Sequence, residues 1–158
     1  MEDKKRIRLI HLVAGEKDYA IDLSCVREVL RMVSFNPVSE LPDFVVGVIN
    51  VRGEVLPVID FMRRAGLGHG RITLQSRILL MTIKKINVGM MVDRVREVIE
   101  VDPSAISNNT LADVVLNPKY IKSTFMHRDR MMIWVDIEKV LTDREYSELE
   151  KGLDYATS

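Results

Sequence analysis

From Phe44 to Asp60 the chain reads Phe-Val-Val-Gly-Val-Ile-Asn-Val-Arg-Gly-Glu-Val-Leu-Pro-Val-Ile-Asp. Two β-branched apolar runs, Val45 to Val51 and Val55 to Ile59, are parted by Arg52-Gly53-Glu54. Runs of this length and composition form buried strands. Gly53 supplies the positive φ of a tight turn, so the pair is a hairpin. Asn50 and Arg52 fall on the face that carries Val46 and Val48. Either the strand end emerges into water there, or the turn is built to present Arg52. Pro57 cannot donate to a ladder, so its flank is expected at an edge or a bulge, leaving one side of the hairpin open to a partner.

The rest of the chain repeats itself around this hairpin. Arg6 to Val13 alternate as a strand, Ala14 to Asp18 turn, and Tyr19 to Leu23 return. Arg77-Ile-Leu-Leu-Met-Thr-Ile83 resembles Arg6-Ile-Arg-Leu-Ile-His-Leu12, with Lys84 to Asn87 as turn and Val88 to Val92 as return strand. Val95-Arg-Glu-Val98 repeats Val26-Arg-Glu-Val29, and Arg128 to Asp136 matches Arg52 to Asp60. Matched blocks in the same order indicate a duplicated architecture. The expected fold is mainly β, as two similar halves, about 6–70 and 71–141. Each half should be a small curled or closed sheet of about five strands.

Helices are expected in three places. Ser24 as N-cap, with Val26, Val29 and Leu30 on one face, predicts a short helix over 25–31. Asp60 caps a turn that ends at Ala65 and Gly66. Thr142 and Glu145 form a capping box, Leu141 staples to Tyr146, and Tyr146, Leu149 and Leu153 mark a docking face closed by Gly152. Phe35 to Val38 and Leu41-Pro42 read as an extended connector, and 66–70 as a flexible joint.

Charge and cysteine usage exclude several classes. The 158 residues carry 23 basic and 23 acidic side chains, so no net field draws nucleic acid or an anionic membrane. No run is long enough to span a bilayer, and the N-terminus is not a signal peptide. The lone Cys25 suits a reducing, cytoplasmic compartment. His11, His69 and His127 show no ligand spacing, so neither a metal nor another cofactor is expected. The glycine-rich 66–70 segment follows a helix and opens a strand, the reverse of a phosphate cradle. Cys25 in a first helical turn could be a thiolate, but a structural cysteine is the reading preferred. Asp60 and Asp136 are accounted for as caps, and the nine methionines as adaptable core filling. What remains is a scaffold that works by presenting surfaces.

The segment Gly47-Val-Ile-Asn-Val-Arg-Gly53 resembles the hallmark of the CheW family of chemotaxis coupling proteins. Tyr19 to Val29, Val88 to Asp93 with Val95 to Val98, and Met131 to Leu141 resemble its other signature blocks. The resemblance spans Arg6 to Leu141. It departs at Lys122-Ser-Thr124, where the family more often has a glycine near Ser123. It implies two five-stranded SH3-like β-barrels around a small core, and a non-enzymatic adaptor. The implied partners are a chemoreceptor's cytoplasmic signalling tip and the regulatory domain of a CheA-type histidine kinase. The adaptor would be cytoplasmic, recruited to membrane-bound receptor arrays without inserting itself. Positions Val26, Glu28, Gly47, Asn50, Arg52, Gly89 and Val98 are implied at the partner-binding surfaces. The receptor tip is expected in the groove between halves near Arg52, with the kinase end to end on a barrel face. Two other readings stay open: a coupler for a non-flagellar chemosensory output, and a small cysteine-dependent enzyme.

Overall fold

A computed structural model describes residues 5–37, 41–107 and 116–157, with side chains given up to residue 152. Val38 of the expected connector and the Leu153 side chain lie outside the described residues. The chain runs β1 (Ile7–Ala14), β2 (Lys17–Asp22), a 3-10 turn (Leu23–Cys25), β3 (Val26–Arg31), β4 (Val45–Val51), β5 (Glu54–Asp60) and α1 (Phe61–Arg64). It continues with β6 (Arg77–Ile83), β7 (Ile86–Val92), β8 (Arg94–Val101), β9 (Ile106–Ser107), β10 (Ile121–His127), β11 (Arg130–Val135) and α2 (Asp143–Thr157). The fold is mainly β, as expected.

Two curled sheets are built on one plan. One has the order β3-β6-β7-β5-β4, the other β8-β1-β2-β11-β10-β9. Replacing β3, β6, β7, β5 and β4 by β8, β1, β2, β11 and β10 turns the first order into the second. Each sheet therefore combines its own half's later strands with the leading hairpin of the other half. The sequence repeat is real, but neither sheet is drawn from one contiguous half, contrary to the simple expectation. Below, the first barrel is the one carrying β4 and β5, and the second the one carrying β10 and β11.

The hairpin exchange explains the unbroken apolar runs. Ile78 and Leu80 face the interior of the first barrel, where Ile49, Leu56, Val58 and Met91 are buried. Leu79, Met81 and Ile83 on the same strand face a second core, shared between the barrels. Leu9 points into the second barrel with Ala20, Ile99, Phe125, Met132 and Trp134, while Ile10 and Leu12 join the shared core. The core between the barrels is thus the largest of the three, not a small one.

Three local expectations are corrected. Residues 26–31 are strand β3, alternating half-buried and exposed, rather than a helix. The β3–β6 register shifts between Val26 and Glu28, so Val26 packs on the shared core while Leu30 packs into the first barrel, and pairing with β6 outweighs the helical spacing of Val26, Val29 and Leu30. The preceding 3-10 turn has Asp22 at its N-cap position, not Ser24. Helix α2 does not stop at Gly152, which is buried within it. Docking through the buried Leu149 and the partly buried Tyr146 offsets the glycine's roughly 1 kcal/mol helix penalty.

Pro57 sits inside the sheet, between β4 and β7, not on a free edge. Val48 turns both of its backbone groups outward to Asn36, with hydrogen bonds of 2.9 and 3.0 Å. Pro57, directly opposite Val48, therefore occupies a non-hydrogen-bonded position toward β4. Its nitrogen faces the β7 side, where the parallel ladder begins only at Val58. The outer edge of β4 is itself partly closed by Asn36.

Candidate functional site

The hairpin tip of the first barrel is a two-residue turn. Val51 pairs with Glu54, and both Arg52 (φ 51°) and Gly53 (φ 86°) lie in the left-handed region. That is the mirror-image turn favoured by strand twist, and arginine is an uncommon occupant of it. Asn50 explains its place on the strand: its Oδ1 accepts from the Gly53 N–H at 2.9 Å, closing the turn. Arg52 is thereby held at the surface, its side chain 70% exposed. Its Nη2 donates to both carboxylate oxygens of Glu28 on β3, each at 2.9 Å. β3 and β4 are opposite edges of the sheet, so this pair bridges the mouth of the curled barrel.

Of the seven positions implied by resemblance, Glu28, Asn50 and Arg52 come together at this tip. Val26 stands on β3, half-buried against the shared core. Gly47 and Gly89 are interior. A Cβ on Gly47 would lie 2.8 Å from the Asn36 carbonyl oxygen and from the Phe35 Cβ; one on Gly89 would lie 2.7 Å from Ile78 Cγ2. Both glycines set the backbone under the surface rather than forming it. Val98 stands apart on β8 of the second barrel, 53% exposed. Its counterpart on β3, Val29, is 42% exposed and was not singled out. The repeated Val-Arg-Glu-Val contained the signal for it.

The other chemical candidates dissolve into structure. Asp60 Oδ1 accepts from Met62 N and Oδ2 from Gly70 N; Asp136 Oδ1 accepts from Glu138 N. Both cap, as expected. The 66–70 segment is stitched down by Gly70 and by an Arg63 Nε donation to His69 Nδ1 at 2.7 Å. Met90, Met91 and Met132 are buried in the three cores. Burial pushes the Cys25 thiol above its ordinary value and the Asp22 carboxylate adds to the effect, the opposite of nucleophile activation. Among the described residues, no cluster of three or more His, Cys, Asp or Glu side chains could hold a metal.

The arrangement presents a charged, apolar-flanked surface on each of two similar barrels. A family model for the CheW-like domain matches residues 8–145. The chain belongs to this family. It is 27% identical to the chemotaxis protein CheW of Rhizobium meliloti, over 87% of this chain and 88% of that protein. It is 30% identical to CheW of Bacillus subtilis, over 93% and 94%. Among solved structures it resembles the scaffolding protein TtCheW of Thermoanaerobacter tengcongensis, with a TM-score of 0.80 and 28% identity, covering 89% of this chain and 96% of that one. As a CheW-family chain it is a scaffold of chemotaxis signalling, not an enzyme. Among the described residues no helix is long and apolar enough to cross a membrane.

Proposed function

We propose that this CheW-like chain couples chemoreceptors to a CheA-type histidine kinase, in the cytoplasm at membrane-bound receptor arrays. The observation that carries this reading is the CheW-like match across both barrels. The surfaces are consistent with it. The first barrel offers Arg52, Glu28, Asn50 and exposed Val29 at one tip, suited to the helical tip of a receptor lying toward the groove. Exposed Val98 marks the equivalent face of the second barrel, suited to a barrel of the kinase regulatory domain. Apolar strand faces supply buried area, and an arginine near the centre fixes orientation.

The test is reconstitution with a receptor cytoplasmic fragment and a CheA-type kinase, comparing Arg52→Glu with Arg128→Glu. Loss of an interface arginine costs roughly 2 kcal/mol or more, about thirtyfold in affinity. Arg52→Glu is expected to weaken receptor assembly more than tenfold or to remove kinase activation, and Arg128→Glu to do much less. Wild-type chain that binds neither partner would overturn the function. Equal losses in the two variants would overturn the assignment of the receptor face to Arg52.

A further inference from the structure

The two barrels give an internal control for one another, and one of their differences places ionisable groups where the other barrel is apolar. The strand registers place His11 of the second barrel where the first has Leu80, and His127 where the first has Val51. Leu80 is buried in the first barrel's core, and Val51 packs against it. The same fold therefore accepts an ordinary apolar pair here. In the second barrel the pair is two imidazoles, with ring centroids 6.4 Å apart and edges meeting at 85°. His11 Nδ1 and His127 Nε2 are both buried and unpartnered. His11 itself is only 4% exposed.

The surroundings are basic. His11 and His127 line a cavity of about 190 Å³ together with Arg96, Glu97, Arg128 and Arg130. The β1–β8 register shifts here: Ile10 faces Val98 and Leu12 faces Val95, so Arg96 and Glu97 together oppose His11. Such a bulge re-aims side chains. Both acids nearby are committed. Glu97 meets Arg128 Nη1 at 3.3 Å, and Asp18 meets His11 Nε2 at 2.7 Å and Arg130 Nη1 at 3.4 Å. Each of these two arginines spends one nitrogen on a long contact, leaving further N–H groups free. Arg96 has no hydrogen bond or ion pair with any described residue.

We propose that the second barrel binds a compact oxyanion of the phosphate class between His11, His127 and the guanidinium groups of Arg96, Arg128 and Arg130. Guanidinium forks match phosphate oxygens in geometry and charge. A cation is disfavoured by three arginines and by the lack of a third ligand among the described residues. Because Asp18 accepts from His11 Nε2, Nδ1 pairs with the anion through one shared proton, carried by an imidazolium or by a phosphate hydroxyl. Phosphate supplies that proton in either form. A buried water is the competing occupant, and it would leave Arg96 unpaired.

The ligand has two sources with one chemistry, free phosphate and a phosphate ester on another chain. Calorimetry on the full chain titrates inorganic phosphate and, separately, a phosphoserine peptide, with ionic strength held constant by chloride. Saturable binding of phosphate alone would mark a closed site for the free ion; binding of both would mark a site open to esters. Arg96→Ala, which removes an exposed and unpaired side chain, is expected to weaken binding about tenfold. His11→Leu with His127→Val, which copies the first barrel, is expected to abolish it. No saturable response in the wild type, or a wild-type response in Arg96→Ala, overturns the proposal. The Arg96 variant decides the matter even where the histidine double variant does not fold.

Discussion

Arg52 and Glu28 form a two-oxygen ion pair at 2.9 Å, and the second barrel rebuilds it with Arg128 and Glu97 at 3.3 Å. Both arginines sit at the same left-handed turn position, with φ of 51° and 50°. Both glutamates come from the repeated Val-Arg-Glu-Val. The pair is therefore part of the duplicated barrel plan, and its presence alone does not mark a contact surface. What distinguishes the tips is their neighbours: Asn50 flanks Arg52, whereas the equivalent Met126 is 62% exposed.

A charge swap separates the two roles. An exposed pair contributes about 0–1 kcal/mol. Arg52→Glu and Glu28→Arg should each lower stability by no more than about 1 kcal/mol, with the double swap recovering most of it. Denaturant melts of the four chains give the coupling. If the tip is a receptor contact, the double swap will regain stability without regaining receptor binding. Recovery of both would say that binding needs only the pair, in either polarity.

Gly47 and Ser123 give a second internal comparison. Both follow a register shift on the strand leading to the tip hairpin. The structure shows why the glycine is needed in one barrel: the Phe35–Asn36 segment crosses within 2.8 Å of where a Cβ would stand. In the second barrel the crossing segment is β9, and Ser123 is accommodated there while 94% buried. Gly47→Ala is therefore expected to cost about 1–3 kcal/mol as overpacking, and Ser123→Gly about 1 kcal/mol or less. A receptor-binding defect in Gly47→Ala that appears without any loss of melting temperature would show that the glycine is itself a contact.

Much of this was legible because strand alternation, turn glycines and caps are local. The hairpin at 44–60, both aspartate caps and the Thr142–Glu145 box follow from spacing alone. The exchange of hairpins was not legible, since pairing between distant strands leaves no mark in either. The first-strand match illustrates the limit. Sequence set Arg77 against Arg6, while the registers set Leu9 against Ile78, a slide of two residues. A two-residue slide keeps every side chain on its own face, so the apolar pattern cannot detect it. Residues 26–31 failed for another reason: the register shift between Val26 and Glu28 breaks strand alternation, leaving Val26, Val29 and Leu30 at helical spacing. At the site, the turn residues announced themselves by interrupting an apolar run. Val29 and the His11–His127 pair did not, because their significance comes from comparing the two barrels in space.

Tyr19 predicts an alkaline limit to stability. It is 1% exposed, packed edge-on to Phe61 at 5.0 Å, and burial pushes its phenol from 10.0 up to about 12. The folded state holds the proton that the unfolded chain releases, so stability is complete below about pH 10 and falls as pH rises toward 12. The full effect is about 2–3 kcal/mol. Tyr19→Phe should flatten this alkaline decline, measured by denaturant melts between pH 9 and about 11.5. An unchanged slope would assign the decline to other groups.

Glu145 does two jobs at the start of α2. Its Oε1 accepts from Thr142 N at 2.9 Å, and Thr142 Oγ1 accepts from Glu145 N at 3.1 Å. Its Oε2 meets Arg64 Nη1 at 2.6 Å, with both side chains less than 20% exposed. Arg64 also donates to the Tyr120 hydroxyl and lies over the Phe44 and Tyr120 rings, so it remains placed when Glu145 changes. Thr142→Ala removes one cap bond, at about 1 kcal/mol. Glu145→Gln keeps a capping oxygen but loses the charge, at about 1–2 kcal/mol. Glu145→Ala loses both functions, at about 2–3 kcal/mol. Combining Thr142→Ala with Glu145→Ala should cost less than the sum, because the two halves of the box fail together. Strict additivity in denaturant melts would mean that the box does not act as a unit and that Glu145 works through Arg64 independently of Thr142.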